Sequence, residues 1–491
     1  MTEVRTRFAP SPTGMQHVGG FRTAMYNWLL ARHMGGKFVL RIEDTDQARR
    51  VPGAIKYLME YFDWLGMDID EGPSRKELEI VGEPYQGGRD LGGPHGPYIQ
   101  SQRIERYRAV AEELIAKGFC YRCDCSPERL EAMRNEQMAR KELPGYDGLC
   151  RERSVSKNTK HVVRFRMPEK PSISVEDAVK GPVSWNEVPM RDPVLLKSDG
   201  FPTYHLAVVI DDHDMRISHV MRSDEWLSSV PLHYLLYQAL GWQMPIHAHL
   251  PMVLGKDGKK LSKRHGNVAI ETFKKAGYLP EALFNYVVLV GWSPGEGDEQ
   301  EVFTRDELIQ KFSLEHVNRA SAVFDYEKLN WMNGLYIRNL SPEEFSRQAL
   351  AEISSAGLSI DPKRWAVMAQ HVQPRTKLMP EIPPMVEFLC REDITRDVND
   401  MYQKGIDAAR AKSILQAAHE KISAMKEFSH DAIDSAMREL AESMGLKPGP
   451  FFGVLRIAVT GKKVTPPLLE CFLALGKEAV LKRLKETETL L

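Results

Sequence analysis

Hydrophobic and polar positions follow different rhythms along this chain, and the changes of rhythm divide it. From residue 1 to about 115, short apolar runs alternate with stretches of helical period. The stretch Arg7 to Gly20, RFAPSPTGMQHVGG, begins with an arginine and a short apolar run and then passes two prolines and a glycine. It ends in His17-Val18-Gly19-Gly20, just before the apolar-periodic Phe21 to Leu30. That pattern predicts strand, tight loop and helix N-terminus. Lys37 to Ile42 reads as a buried strand running into the acidic cluster Glu43-Asp44-Thr45-Asp46. Strands alternating with helices predict a parallel α/β sheet with ligands at the carboxyl ends of the strands. Gly87 to Pro97 is a glycine-rich loop, and Tyr107 to Gly118 has the pattern of an amphipathic helix.

The rhythm breaks between 118 and 190. This stretch holds a cysteine cluster, a charged helical segment (Pro127 to Lys141), a turn at Pro144-Gly145 and strand-like His161 to Arg166. It predicts an insertion in the α/β domain. The sheet is expected to resume with Val194 to Lys197 and with Thr203 to Ile210, read as a strand, and to continue to about 250. Residues 270 to about 335 read as mainly helical. From Ser341 onward helices dominate, broken at Pro374, Pro380 to Pro384 and Gly445 to Pro450. The expected division is therefore 1–117 with 191–250 as the α/β domain, 118–190 as the insert, 251–338 as a loop and helical region, and 339–491 as an all-helical region.

A length of 491 residues agrees with about three domains. Apolar residues make up 43%, enough for a packed interior rather than a disordered chain. Lys and Arg number 66 against 67 Asp and Glu, which argues against a non-specific polyanion coat and leaves room for a local basic groove. MTEVRTRF lacks the apolar core of a signal peptide, and no unbroken apolar run is long enough to span a bilayer. A soluble, cytoplasmic chain without membrane partners is expected. Six cysteines in such a chain are not a disulfide framework. Four of them, Cys120, Cys123, Cys125 and Cys150, form a metal-type grouping.

Two stretches carry candidate chemistry. A turn entering a helix aims free backbone N–H groups at a ligand, and the helix dipole favours an anion there. His17 adds a donor to that space, and Gly19 and Gly20 have no Cβ to keep a ligand away. Lys256 to Gly266, KDGKKLSKRHG, is a lysine-rich loop with glycine on both sides.

The pair HVGG and KLSKR resembles the two signature motifs of class I aminoacyl-tRNA synthetases, written HIGH and KMSKS. RFAPSPTG, RIEDTD (Arg41–Asp46), LLKSDGFPTYHLA (Leu195–Ala207), VMRSDEW (Val220–Trp226) and VFDYEKLNWMNGLYIR (Val323–Arg338) are similar to the glutamyl branch of that class. The resemblance implies a Rossmann-like catalytic domain whose insert embraces the acceptor end of tRNA. It also implies an all-helical anticodon-binding region of the bacterial type. The implied reaction has two steps. The α-carboxylate of L-glutamate attacks the α-phosphorus of ATP, giving glutamyl-adenylate and pyrophosphate. A terminal ribose hydroxyl of tRNA(Glu) then attacks the mixed anhydride. Mg²⁺ is expected as the phosphate counter-ion, and a monomer is expected.

By the same resemblance, His17 donates to the α-phosphate oxygens, and Gly19 and Gly20 admit adenine and ribose. Gly20 stands where the motif has its final histidine, so that donor is lost here. Lys260 and Lys263 take the lysine positions, with Lys263 holding the leaving phosphates, and the flanking glycines imply a loop that closes over ATP. Glu225 and Trp226 match ATP contacts. Arg7 and Arg222 match the cations for the substrate carboxylate, a task suited to a planar guanidinium. Ala9 and Ser11 line that pocket, while Glu43 and Tyr204 meet the α-amino group. Val208 stands where some relatives have a polar residue. Arg375 falls at an anticodon-reading position and leans toward tRNA(Glu) alone. A non-discriminating enzyme also charging tRNA(Gln), or an inactive tRNA-binding relative, remains an alternative. Cys123-x-Cys125 and Cys150-Arg151-Glu152 repeat a C-x-C…C-x-H zinc pattern with Glu152 in place of histidine. Cys120 is the rival fourth ligand. An extended Cys120 to Cys125 puts it on the opposite face, and a tight turn reverses that.

Overall fold

The computed structural model describes residues 3–169, 172–186, 188, 190–266, 268–402 and 405–491; the side chain of Lys263 is not among what is described. It forms two compact units. One comprises the chain up to Phe273 with Leu283–Asp325, and the other Lys274–Ala282 with Tyr326–Leu491.

The first unit is built on strands β1 (Arg5–Phe8), β2 (Lys37–Leu40), β3 (Cys120–Cys123), β4 (Val162–Phe165), β5 (Ile173–Asp177), β6 (Gly181–Trp185), β7 (Val194–Leu196), β8 (His219–Ser223), β9 (Ile246–Leu250), β10 (Val253–Leu254) and β11 (Ala322–Val323). Six of them make one sheet in the order β2-β1-β8-β9-β5-β6. All neighbours are parallel except β5 and β6, which form an antiparallel edge. The sheet is therefore mixed rather than wholly parallel. Phe8, Phe38, Val39 and Leu40 are buried, as expected of strands covered on both faces. The helix Val18–His33 lays Phe21, Met25, Trp28 and Leu29 into this core. Phe21 meets Phe8 and Phe62 at ring-centroid distances of 6.4 and 5.7 Å. Each such ring contributes roughly 1.5–3 kcal/mol by burial.

Three sequence expectations are corrected. Thr203 to Ile210 is not a strand: Tyr204–Asp214 is a helix that follows Thr203 as its N-cap. Leu206 to Ile210 are buried, so the run is apolar all round, a pattern shared by buried strands and buried helices. Val194–Leu196 does not resume the main sheet. It closes a separate antiparallel sheet in the order β3-β4-β7. Conversely, β5 and β6 lie inside the stretch expected to be the insert, yet they extend the main sheet through the pairing of Asp177 with His247.

The second unit is helical. Phe345, Trp365, Met368, Ile414, Phe451, Phe472 and Leu484 are among its buried core. Several of its prolines start helices. Pro342, Pro362 and Pro448 stand at the first turns of Pro342–Ser355, Pro362–Val372 and Pro448–Thr460, where the missing N–H costs nothing. Arg483 is buried and donates to the carbonyls of Val459, Phe388 and Arg391. Burial, with the repulsion of Arg396 and Arg364, lowers its pKa to about 10. Among the described residues no helix is long and apolar enough to cross a membrane.

Candidate functional site

The chain leaves β1 toward β2 and returns later to lay β8 on the other side of β1. Such a switch point opens a crevice at the carboxyl ends of the strands. A cavity of about 690 Å³ lies there, and its walls include Arg7, Ala9, Ser11, Glu43, Tyr204 and Arg222, together with His17, Gly19, Gly20, Glu225, Trp226 and Lys260. The structure thus gathers both expected sets of residues in one space. Val208 is buried in its helix and is not part of that lining.

The arginines are held by the protein behind the cavity wall. Arg7 donates from Nε to Asp212 Oδ1 at 3.1 Å and from Nη1 to the Met221 carbonyl at 3.3 Å. Asp212 Oδ1 also accepts from Arg41 Nη1 at 2.7 Å, and Arg41 Nη2 reaches Glu43 Oε1 at 3.0 Å. Arg41 is wholly buried. Burial works against its charge, but Asp212, Glu43 and Asp211 outweigh it and raise its pKa well above the ordinary value. Burial also opposes ionisation of Asp212, yet Arg7 and Arg41 pull its pKa below the usual carboxylate range. For Glu43 burial prevails over Arg41, and its pKa rises. Arg222 donates from Nη1 to Tyr204 Oη at 2.9 Å, from Nη2 to the Trp226 carbonyl at 3.3 Å and from Nε to His249 Nε2 at 3.1 Å. A guanidinium has five N–H groups, so one on each Nη is left to face a ligand.

In the same lining, His17 is the N-cap of the helix Val18–His33, and its Nδ1 accepts from the Gly20 N–H at 3.3 Å. Desolvation and the nearby Lys260 lower its pKa, against Glu225. A neutral ring that accepts at Nδ1 carries its proton on Nε2. A Cβ at Gly19 would lie 3.1 Å from the His17 ring, so that glycine makes room for the histidine as well as for a ligand. Lys260 pairs with Glu225, so two expected ATP contacts are each other's partner here. The lysine loop folds back on itself. Gly255 N–H donates to the Lys259 carbonyl at 2.8 Å, Gly258 takes a φ of +72°, and Leu254 bridges Lys260. His265 accepts from the Ser262 N–H at 3.0 Å and pairs with Asp257 at 2.9 Å. The expected role of Lys263 rests on a side chain outside the described residues.

Cys123, Cys125 and Cys150 lie with their sulfurs within 4.8 Å of one another. Cys125 and Cys150 are 3.6 Å apart, close to the sulfur spacing of about 3.8 Å that tetrahedral Zn–S bonds impose. Neither expected fourth ligand joins them. Cys120 faces the core with Tyr107 and Phe165, because β3 is extended and three steps reverse the face. Glu152 is 86% exposed in its side chain and pairs with Arg166 at 2.8 Å. The hydroxyl among the sulfurs is instead that of Tyr146, 3.4 Å from both Cys123 and Cys125. It also accepts from the Cys150 N–H at 3.0 Å. Burial and the neighbouring sulfurs, against the Tyr146 hydroxyl, push the Cys125 thiol up to about 11. Arg129 and Arg153 each stand 3.6 Å from a sulfur. Crowded sulfurs with cations around them fit a zinc ion. The Cys spacing disclosed this cluster, but nothing in it marked Tyr146, since a phenol is not an ordinary zinc ligand. Arg375 is exposed on the second unit and donates to the His371 carbonyl at 3.1 Å.

Comparison with known proteins identifies the family. The family described as tRNA synthetases class I (E and Q), catalytic domain, matches residues 3–331, and an anticodon binding domain family matches residues 330–487. The fold and the site therefore define a class I tRNA synthetase. A glutamate–tRNA ligase of Dehalococcoides mccartyi is 45% identical over 98% of this chain and 96% of its own length. One from Roseiflexus sp. is 43% identical over 98% and 96%. The crystal structure of a glutamate tRNA ligase from Elizabethkingia meningosepticum in complex with its amino acid superposes with a TM-score of 0.87 at 34% identity, covering 99% of both chains. The chain belongs to the glutamate–tRNA ligase family.

Proposed function

We propose that this chain activates glutamate with ATP and transfers it to tRNA(Glu), with the two ends of the switch-point cavity dividing the work. The observation that carries the reading is the cavity itself, whose lining brings together two protein-anchored arginines and the histidine that caps a glycine-rich helix start. Arg7 and Arg222 hold the side-chain carboxylate of glutamate, with Ala9 and Ser11 shaping the pocket. Glu43 and Tyr204 receive the α-ammonium. The α-carboxylate is thereby turned toward the α-phosphate, where the Nε2–H of His17 donates to the oxygens that gain charge. Gly19 and Gly20 admit the nucleotide. Glu225, Trp226 and Lys260 contact it, Lys263 steadies the leaving pyrophosphate, and Mg²⁺ accompanies the phosphates. Catalysis here is positioning and charge stabilisation, without a covalent protein intermediate.

The domain reading follows the same division: the expected insert 118–190, less β5 and β6, meets the acceptor end of tRNA, and 339–491 meet the anticodon, with Arg375 at its surface. In solution the enzyme works as a cytoplasmic monomer. The decisive assay is aminoacylation with radiolabelled glutamate, offering tRNA(Glu) and tRNA(Gln) in separate reactions. Charging of tRNA(Glu) is expected, and charging of neither overturns the proposal. Charging of both identifies a non-discriminating enzyme.

Cys123, Cys125, Cys150 and the Tyr146 oxygen would hold zinc, which would serve structure only. No step needs a metal-activated water. The Tyr146→Phe variant is expected to lose zinc to a chelator at about tenfold lower concentration or less, read by metal analysis after dialysis. Unchanged retention removes Tyr146 from the ligand set, while the same loss in Glu152→Gln returns Glu152 to it.

A further inference from the structure

We infer that Asp177 and His249 form a positioning pair that fixes the guanidinium of Arg222 and thereby sets the preference for a carboxylate over an amide. The inference rests on the reading that Arg222 meets the substrate's side chain. Its observations are independent of that reading. Parallel pairing of β8 with β9 puts Arg222 directly opposite His249. The Nε–H of Arg222 points at His249 Nε2 at 3.1 Å. A guanidinium only donates, so Nε2 must offer a lone pair and the proton of His249 must sit on Nδ1. That nitrogen faces Asp177 Oδ2 at 2.6 Å. Both side chains are buried, His249 completely.

Asp177 is itself locked. Its Oδ1 accepts from the backbone N–H groups of Val179, Lys180 and His249 at 3.0, 2.9 and 3.1 Å. Both carboxylate oxygens therefore accept only, and the second one selects the histidine tautomer. Desolvation and Arg222 lower the pKa of His249, against Asp177, so the ring stays neutral beside the cation. The chain of contacts leaves Arg222 one orientation. A fixed pair of Nη–H donors matches two carboxylate oxygens and opposes the NH₂ of glutamine. A guanidinium free to turn discriminates less.

The test uses the intact enzyme with tRNA and measures kcat and KM for glutamate and ATP in wild type, Arg222→Ala, His249→Ala, His249→Gln and Asp177→Asn. Thermal melts check that each variant folds. His249→Ala is expected to raise KM for glutamate about tenfold or more, with kcat at saturation and KM for ATP little changed. Its preference for glutamate over glutamine falls by a similar factor. The His249→Gln amide oxygen accepts the same N–H, so this variant recovers most of the loss. Asp177→Asn turns an NH₂ toward either the backbone donors or Nδ1, and it raises KM for glutamate in a folded protein. The inference is overturned if Arg222→Ala raises KM for glutamate while folded His249→Ala and Asp177→Asn do not. It is also overturned if His249→Gln is as impaired as His249→Ala. An Arg222→Ala enzyme with wild-type KM for glutamate instead overturns the underlying pocket reading.

Discussion

The His17→Ala enzyme forms glutamyl-adenylate about 10²–10³-fold more slowly than wild type, the usual cost of removing one donor aimed at developing charge. The size of the effect follows from where the proton sits. His17 uses Nδ1 to cap the helix through the Gly20 N–H, which leaves Nε2–H as a fixed donor facing the cavity. Its pKa is lowered by desolvation and Lys260, so the ring remains a neutral donor through the neutral range. Because the interaction strengthens as charge grows on the phosphate, kcat falls and KM for glutamate changes little. Removing the cap also costs about 1 kcal/mol of stability. His17→Asn separates the two contributions: asparagine is a good cap but too short to reach the phosphate, so it restores the melt and not the rate. Single-turnover adenylate formation is the measurement. A rate for His17→Ala within about threefold of wild type, far less than a lost donor costs, contradicts the assignment.

The Asp212→Ala protein is expected to be less stable than wild type by about 3–5 kcal/mol, the range for breaking a buried ion pair from one side. Asp212 Oδ1 receives Arg41 at 2.7 Å and Arg7 at 3.1 Å. Its loss leaves Arg41, which water does not reach, with Glu43 at 3.0 Å and Asp211 only at 3.7 Å. Glutamate binding weakens as well, because Arg7 loses its anchor. The pH dependence has a definite sign. Asp212 is depressed below its ordinary 3.8 in the folded protein, so its stabilisation is full above that pH. It drains away as pH falls below 3.8 and through the folded value. Asp212→Ala lacks this part of the acid transition. Urea unfolding of the two proteins at neutral pH and near pH 3 measures both effects, and a wild-type midpoint for Asp212→Ala contradicts the account.

The residues that line the candidate cavity were legible in the sequence where chemistry and chain order coincide. Arg7, His17 and Glu43 each stand within a few residues of a strand end or a helix start, so a short window contains both the group and the turn that presents it. The helix Tyr204–Asp214 was not legible, because an apolar run of this length has no period once all its sides are buried. His249 was not legible for a different reason. Its link to Arg222 is a lateral strand register, and Ile246–Leu250 carries no signal of which strand it will lie beside. The zinc-type cluster fell between these cases. Spacing exposed the cysteines, whereas Tyr146 joins them only through the folding of the segment between Cys125 and Cys150.

The edge strands β5 and β6 set a limit on how this enzyme could be rebuilt. The residues between the first and second halves of the α/β core look like a cassette, to be excised or exchanged between relatives at its two ends. Excision at those ends would uncover β9, and it would take away Asp177 with the turn at Val179 and Lys180 that locks it. A transplant that keeps the contacts of Arg222 with His249 and Asp177 intact has to cut before Ile173, leave β5 and β6 with the host, and rejoin after Trp185. The unit of exchange is therefore shorter than the unit of sequence, because the strand that carries Asp177 has to stay with the host.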